Sequence, residues 1–430
     1  MPVHLRSIGT ALPPTVLSQR HVREVFARQP DLSRLGRRLV GAVFDAAAIE
    51  TRHTVLDELA EPDPAEAVAA LDEGGERDVD VPAVYVDRAS GDILTPGTGT
   101  RNATYVERAP ALFEGAARDA LAGAGGLGPD DVTHVVTVSC TGFFAPGPDY
   151  ALVRALGLSP ATQRYHLGFM GCYGAFPALR AARDFCTADP DAVVLVVCAE
   201  LCTLHLHSAS DPDTIVANSV FADGAAAAVV TARPAPEGAT VLDLDAFETV
   251  LTPVGEGDMA WTIGDQGFDM VLSSYVPHII EEHVDGALAP LLAREPALDG
   301  HAAAEVEHWA VHPGGRSNLD RVQSQLGLSS AQMAPSRGVL RDQGNMSSAT
   351  VLFVLRRVLE QGGETPAGAA SAGDAPAGDA PATAASAGDV GPEAPAAPAP
   401  HAGPGAGRVC ALAFGPGLTV ESALLTRRTA

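Results

Sequence analysis

Lysine is missing from all 430 residues, so the 28 basic side chains are all arginine. That absence excludes Schiff-base catalysis, pyridoxal phosphate attachment and a Walker-type phosphate loop, each of which needs a lysine amine. Positive charge is also scarce: 53 acidic residues give a net charge of −25. Such a surface repels a phosphate backbone and argues against nucleic acid as a partner. No Cys-x-x-Cys pair occurs among Cys140, Cys172, Cys186, Cys198, Cys202 and Cys410. Cys198 and Cys202 have the look of half a metal site, but no second pair follows at zinc spacing, so reduced thiols and no metal are expected. No apolar run approaches the length of a membrane span, and Met1 to Ser7 lacks the apolar core of a signal peptide. The expected compartment is the cytoplasm.

What is present describes a large globular chain. A hydrophobic fraction of 46% with 19% charged residues fits two domains, or one duplicated domain, around a well-buried core. Residues 361 to 407 stand apart, with 17 Ala, 10 Gly and 8 Pro in 47 positions. This composition buries too little apolar surface to offset ordering entropy and predicts a disordered insertion. Asp57 to Asp92 reads as a milder acidic excursion. Elsewhere, Val- and Ala-rich runs (132–140, 192–198, 225–230, 306–312, 409–414) alternate with helical patterns (109–123, 175–188, 271–292, 318–326, 347–361). Short apolar runs of that kind suit strands covered on both faces, so the fold class is α/β. Val135 to Gly142 and Trp309 to Gly315 both read as strands ending in a reactive residue and a glycine turn, a hint of internal duplication.

Three residues carry chemistry. Cys172, in Gly168-Phe169-Met170-Gly171-Cys172-Tyr173-Gly174-Ala175, falls between an extended stretch and a helical one. The free N–H groups and positive end of that helix favour thiolate over thiol. His312 stands at a strand's carboxyl end before Pro313-Gly314-Gly315, where α/β sites gather. Asn345 precedes an amphipathic helix, and taken singly it reads as an N-cap. Together, a nucleophilic thiol, an imidazole and an amide can hold an acyl thioester and donate hydrogen bonds to a developing enolate. Carbon–carbon bond formation suits this set better than hydrolysis, which needs only an activated water.

Gly171-Cys172-Tyr173-Gly174-Ala175, His312-Pro313-Gly314-Gly315, Gly344 to Ala349 and Phe414 to Glu421 resemble, in order, the motifs of a type III polyketide synthase of the chalcone synthase-like family, in its bacterial form. The resemblance runs from Ile8 to Leu424, and it implies a thiolase fold with a duplicated αβαβα core and a homodimer. Residues 1–240 would form the half carrying the nucleophile, and 241–430 the half carrying His312 and Asn345. It implies that Cys172 accepts a starter acyl group from coenzyme A, while His312 and Asn345 bind malonyl-CoA and stabilise its enolate. His312 would also help keep Cys172 ionised. No permanently bound cofactor is implied, only coenzyme A thioesters.

Further positions follow from the same resemblance. Phe221 matches a gatekeeper phenylalanine, and the second gatekeeper falls on Met270 by a count back from Pro277, or on Phe268 as the nearest aromatic. Cys140 and His205 stand at cavity threonine positions, Ala145 at a methionine that reaches across the dimer, and Ser347 at a cavity serine. Gly415 and Gly417 belong to the late glycine loop of the cavity. Arg52 fits an arginine that pairs with coenzyme A phosphates, and Arg316 stands in for a lysine there, beside Ser317. The implied reaction extends an acyl-CoA starter with malonyl-CoA and closes the chain to a pyrone, resorcinol, naphthalene or related aromatic product. The alternatives are a ketoacyl synthase III-like enzyme performing one condensation, and a non-catalytic thiolase-fold scaffold.

Overall fold

The computed structural model describes residues 2–61, 83–87, 89–295, 303, 306–361 and 407–430. The predicted disordered insertion therefore lies outside the described residues except at its ends, as does most of the acidic excursion. Within that excursion, Asp57–Leu59 forms a short 3-10 turn, and the Glu58 carboxylate accepts the backbone N–H groups of Val84, Tyr85 and Val86.

One nine-stranded mixed sheet organises the chain, and it is two similar sheets joined edge to edge. In the first, β1 (His4–Ala11), β4 (His134–Ser139), β5 (Gln163–Gly168), β6 (Val193–Leu201) and β7 (Asp223–Thr231) lie in the order β5-β4-β6-β7-β1. In the second, β8 (Thr240–Leu251), β11 (His308–Val311), β12 (Gly407–Gly415) and β13 (Thr419–Thr429) lie in the order β11-β12-β13-β8. The series β4-β6-β7-β1 and β11-β12-β13-β8 have the same strand senses: one parallel pairing, then two antiparallel ones. The two segments that hinted at duplication, β4 and β11, occupy equivalent places. A short pairing of His4 with Asp243 and Leu5 with Leu242 joins the halves. Two hairpin-like pairs stand apart: β2 (Thr15–Ser18) with β3 (Thr51–Thr54), and β9 (Met259–Gly264) with β10 (Gly267–Leu272).

The strand sequences dictate a covered sheet. β4 and β6 are buried at every position, and their side chains alternate between two cores. Val194, Val196 and Cys198 enter a central core, while Val193, Leu195 and Val197 enter an outer one. The ten α-helices run in chain order: α1 (Gln19–Ala27), α2 (Arg34–Ala46), α3 (Thr98–Ala122), α4 (Pro148–Leu156), α5 (Ala175–Ala188), α6 (Pro212–Val220), α7 (Val276–Leu292), α8 (Arg316–Gln325), α9 (Ser330–Gln343) and α10 (Thr350–Glu360), among the described residues. Helices α5 and α10 fill the central layer, through Phe176, Leu179 and Ala182 on one and Val351, Val354 and Leu355 on the other. Small strand residues facing them, among them Ala226, Ala228, Ala411 and Ala413, let helix and sheet approach closely. Helix α3 covers the first sheet through Tyr105, Phe113 and Ala117. Helix α7 covers the second through Ile280, Val284 and Leu291. Layers of helix, sheet, helix, sheet and helix result.

Two element boundaries differ from the sequence reading. The pattern at 271–292 predicts one helix, yet 267–272 is strand β10. There Phe268 is buried beside exposed Asp269, a period of two rather than 3.6, and Pro277 in the first turn of α7 sets the later start. Helix α3 begins at Thr98 rather than near 109.

Candidate active site

Cys172 lies in a 3-10 turn, Gly171–Tyr173, between β5 and the first turn of α5. Phe169 (φ +57°) and Gly171 (φ +71°) turn the chain sharply just before it. A Cβ on Gly171 would stand 2.4 Å from Pro416 Cδ, so only glycine fits. Phe169 tolerates a left-handed backbone because its ring is held against Phe143 and Phe268, at centroid distances of 5.2 and 5.5 Å.

His312 comes from the end of β11, where its backbone N–H donates to Leu412 O at 2.8 Å. The ring is buried, and neither nitrogen has a hydrogen-bond partner among the described residues. Asn345 is oriented from both sides. Its Oδ1 accepts from Ser347 N at 2.9 Å and from Thr350 Oγ1 at 3.4 Å, and its Nδ2 donates to Gly314 O at 3.4 Å. The contact to Ser347 N is the cap-like bond expected of Asn before a helical turn. It also fixes which end of the amide is the donor.

One largely apolar cavity of about 640 Å3 brings the three residues together. Phe221, Met270, Cys140 and Ser347 line it as well. Ser347 itself has a left-handed backbone (φ +46°) and sets its hydroxyl 3.4 Å from Cys140 Sγ. A wider cleft of about 1150 Å3 shares Leu272, Gly314 and Asn318 with this cavity and leads outward past Ala46 of α2 to Arg316, Ser317 and Arg321. Arg316 pairs with Asp320 at 3.4 Å, and Arg321 with Glu281 at 2.7 Å.

Five of the expected site residues line neither this cavity nor the wide cleft. Arg52 is 1% exposed and lines neither the cavity nor the cleft; its Nη1 donates to the backbone carbonyls of Asn218 and Phe221, while its Nε and Nη2 are buried without a partner among the described residues. Phe268 and His205 do not line the cavity with Cys172. They line an adjoining void of about 350 Å3, stacked on each other at 4.2 Å, and Phe221 and Met270 line both that void and the main cavity. Gly415 and Gly417 are also off the wall, which Phe414 and Pro416 supply instead. Gly415 makes room for a ring, since a Cβ there would lie 2.3 Å from Tyr173 Cδ1.

Position before α5 does not by itself ionise the nucleophile. Burial pushes the Cys172 thiol up to about 11 and Glu200 adds to the rise, against hydrogen bonding from Ser347 and Asn345. Burial likewise pushes His312 down to about 3. Each group alone therefore resists charge. Among the described residues neither His312 nitrogen has the Cys172 sulfur as a hydrogen-bond partner.

Trp261 and Glu200 were not legible as site residues in the sequence, and Cys202 was legible there only as half of a metal site. Trp261 lines the cavity and donates through Nε1 to Cys140 O at 2.8 Å. Cys202 makes a third thiol on the wall. Glu200, fully buried, accepts from Cys140 N, Thr141 Oγ1, Ser139 Oγ and Ser348 Oγ, and so anchors the floor under both Cys140 and Ser348. A lone acid inside Val193–Leu201 was the available signal.

His205 fastens that floor to the β9–β10 pair. Its Nε2 lies 2.8 Å from Thr141 O and therefore carries the proton, while Nδ1 accepts from Phe268 N at 3.0 Å. Burial lowers its pKa to about 4 from the ordinary 6.5. The unfolded chain thus binds the proton more readily, and stability present above pH 6.5 is lost as pH falls toward 4. The loss is on the order of 2 kcal/mol at pH 5. Urea unfolding at pH 7 and pH 5 should show a smaller difference for His205→Gln than for the parent, and an equal difference would refute the assignment.

Two models of one family match the chain: chalcone and stilbene synthases, N-terminal domain, over residues 90–234, and the C-terminal domain over 244–375. The chain belongs to this family. As a type III polyketide synthase it is an acyltransferase with the thiolase fold. Among solved structures it is similar to PKS-I of the brown alga Ectocarpus siliculosus, with 26% identity, a TM-score of 0.78 and 100% and 98% of the two chains covered. The C-terminal type III polyketide synthase domain of Steely1, a type I/III hybrid from Dictyostelium, matches at 24% identity and a TM-score of 0.77 over 99% of both chains. A type III pentaketide synthase from Neurospora crassa matches at 23% and 0.73 over 100% of both. Among the described residues of this synthase, no helix is long and apolar enough to cross a membrane.

Proposed function

We propose that this synthase extends an acyl-CoA starter, held as a thioester on Cys172, by repeated decarboxylative condensation with malonyl-CoA. The observation that carries the reading is the convergence of Cys172, His312 and Asn345 on one apolar cavity, with both His312 nitrogens free of partners among the described residues. Neutral His312 takes the Cys172 proton as sulfur attacks the starter thioester, and returns it to the departing coenzyme A thiolate. Malonyl-CoA then loses carbon dioxide, and the enolate oxygen accepts hydrogen bonds from the His312 N–H and from Asn345 Nδ2. The enolate carbon attacks the acyl thioester and Cys172 leaves as thiolate; that thiolate then attacks the lengthened coenzyme A thioester, taking back the chain and releasing coenzyme A thiolate, for the next round. Few polar groups line the cavity, so water does not compete for the enolate.

The wide cleft is the route for coenzyme A, with Arg316 and Arg321 at its outer end as phosphate partners. Phe221 and Met270 stand between route and cavity as gatekeepers. Trp261, Cys140 and Ser347 shape the wall on which the chain closes to a pyrone, resorcinol or related aromatic product. The working form is a homodimer in the cytoplasm with no bound cofactor.

Incubation with radiolabelled malonyl-CoA and a series of acyl-CoA starters tests the reading. Labelled polyketides and carbon dioxide are expected. No decarboxylation with any starter defeats it, and preference for carrier-protein-bound malonate over the coenzyme A ester would point to a single-step condensing enzyme instead.

A further inference from the structure

Arg52, displaced from the coenzyme A route, has another task. It lies on β3, stacked 5.7 Å over the Phe44 ring, and its Nη1 donates to Asn218 O at 2.7 Å and to Phe221 O at 2.8 Å. Those carbonyls end α6, where backbone oxygens lack helical partners and the dipole is negative. Nη1 thus meets two carbonyls that the helix leaves open, while Nε and Nη2 have no partner among the described residues; burial lowers the guanidinium pKa to about 9, and the nearby Asp223 carboxylate opposes that shift.

The same turn is spliced to the other half of the chain. Asn345 N donates to Val220 O at 2.9 Å, and Ala222 N donates to Asn345 O at 2.8 Å, forming a parallel bridge between Phe221 and Asn345. Residues flanking Arg52 grip the approach to Asn345 as well: Glu50 N donates to Arg341 O, and Thr51 Oγ1 to Asp342 O, both at 2.7 Å. At Gly344, a Cβ would fall 3.1 Å from Val220 O and 3.4 Å from Arg52 Cβ. Gatekeeper, amide donor and arginine thus share one knot of backbone.

We propose that Arg52 is a positioning residue that fixes Phe221 and Asn345 relative to each other and makes no contact with substrate. This rests on the reaction proposed above. Shifts of about 1 Å in a reacting group cost up to roughly 100-fold in rate. Arg52→Lys should therefore lower kcat per Cys172 titratable by iodoacetamide by about tenfold or more, equally for malonyl-CoA and for malonyl-N-acetylcysteamine, which lacks the nucleotide and its phosphates. Arg316→Ala should instead raise KM for the coenzyme A ester alone.

Loss confined to the coenzyme A ester in Arg52→Lys would overturn the proposal, as would unchanged kcat per titrated site in both Arg52→Lys and Arg52→Met. Parent rates with the two thioesters judge the reaction itself, and variant-to-parent ratios judge Arg52. Hydrogen exchange adds a readout free of activity. Amides of 220–222 and 344–346 should exchange faster together in Arg52→Lys, and unchanged protection of either segment refutes the linkage.

Discussion

Cys172→Ala protein supplied with malonyl-CoA and an acyl-CoA starter is expected to form no acyl-enzyme and to lose polyketide synthesis by at least about 10^4-fold. Alanine keeps the turn at Gly171–Tyr173 and the packing of Pro416 on Gly171, so the loss reports on sulfur rather than on folding. Decarboxylation should survive in part, because the groups proposed to stabilise the enolate, His312 and Asn345, are untouched. Mass analysis of the intact protein after incubation with starter reads the acyl adduct, and labelled carbon dioxide reads the other half of the cycle. Full synthesis by this variant would remove Cys172 from the mechanism.

His312→Ala is expected to damage both halves. Removing one donor to a developing oxyanion costs about 10^2 to 10^3 in rate, so carbon dioxide release should fall by that amount. Acylation should fall too, since the thiol, pushed up to about 11 by burial, would lose its internal proton acceptor. Alkylation by iodoacetamide separates this effect from enolate stabilisation. At pH 7 the parent should react at least about tenfold faster than the variant, whose thiol must ionise to solvent. Equal alkylation rates would show that His312 is not the base.

The two variants divide the work that the cavity concentrates in one place. Cys172 reaches it from a turn ahead of α5, His312 from the end of β11, and Asn345 from the bridge to Phe221. Each arrives by a different backbone device, so no single segment of sequence contains the site. Glu200 and Trp261 then brace the floor and wall through Cys140, one accepting from its N–H and the other donating to its carbonyl.

Sequence alone determined the layered α/β fold, because all-apolar strands alternating with amphipathic helices have few other ways to be covered. It singled out Cys172, His312 and Asn345 as the candidate reactive residues, because four ordered motifs carry them and the absence of lysine removes competing chemistries. Tertiary structure decided the rest. Arg52 resembles a phosphate ligand in sequence, yet folding buries it against the end of α6, where its Nη1 meets two carbonyls rather than solvent. Phe268 and Met270 lie two apart on β10 and so share one face of the strand, and only tertiary packing sets Met270 at the wall with Cys172 while Phe268 stacks on His205 beside it. The thiol's rise above its ordinary pKa likewise comes from burial and from Glu200, both products of tertiary packing. Local pattern fixes what a segment becomes, while its surroundings fix what its side chains touch.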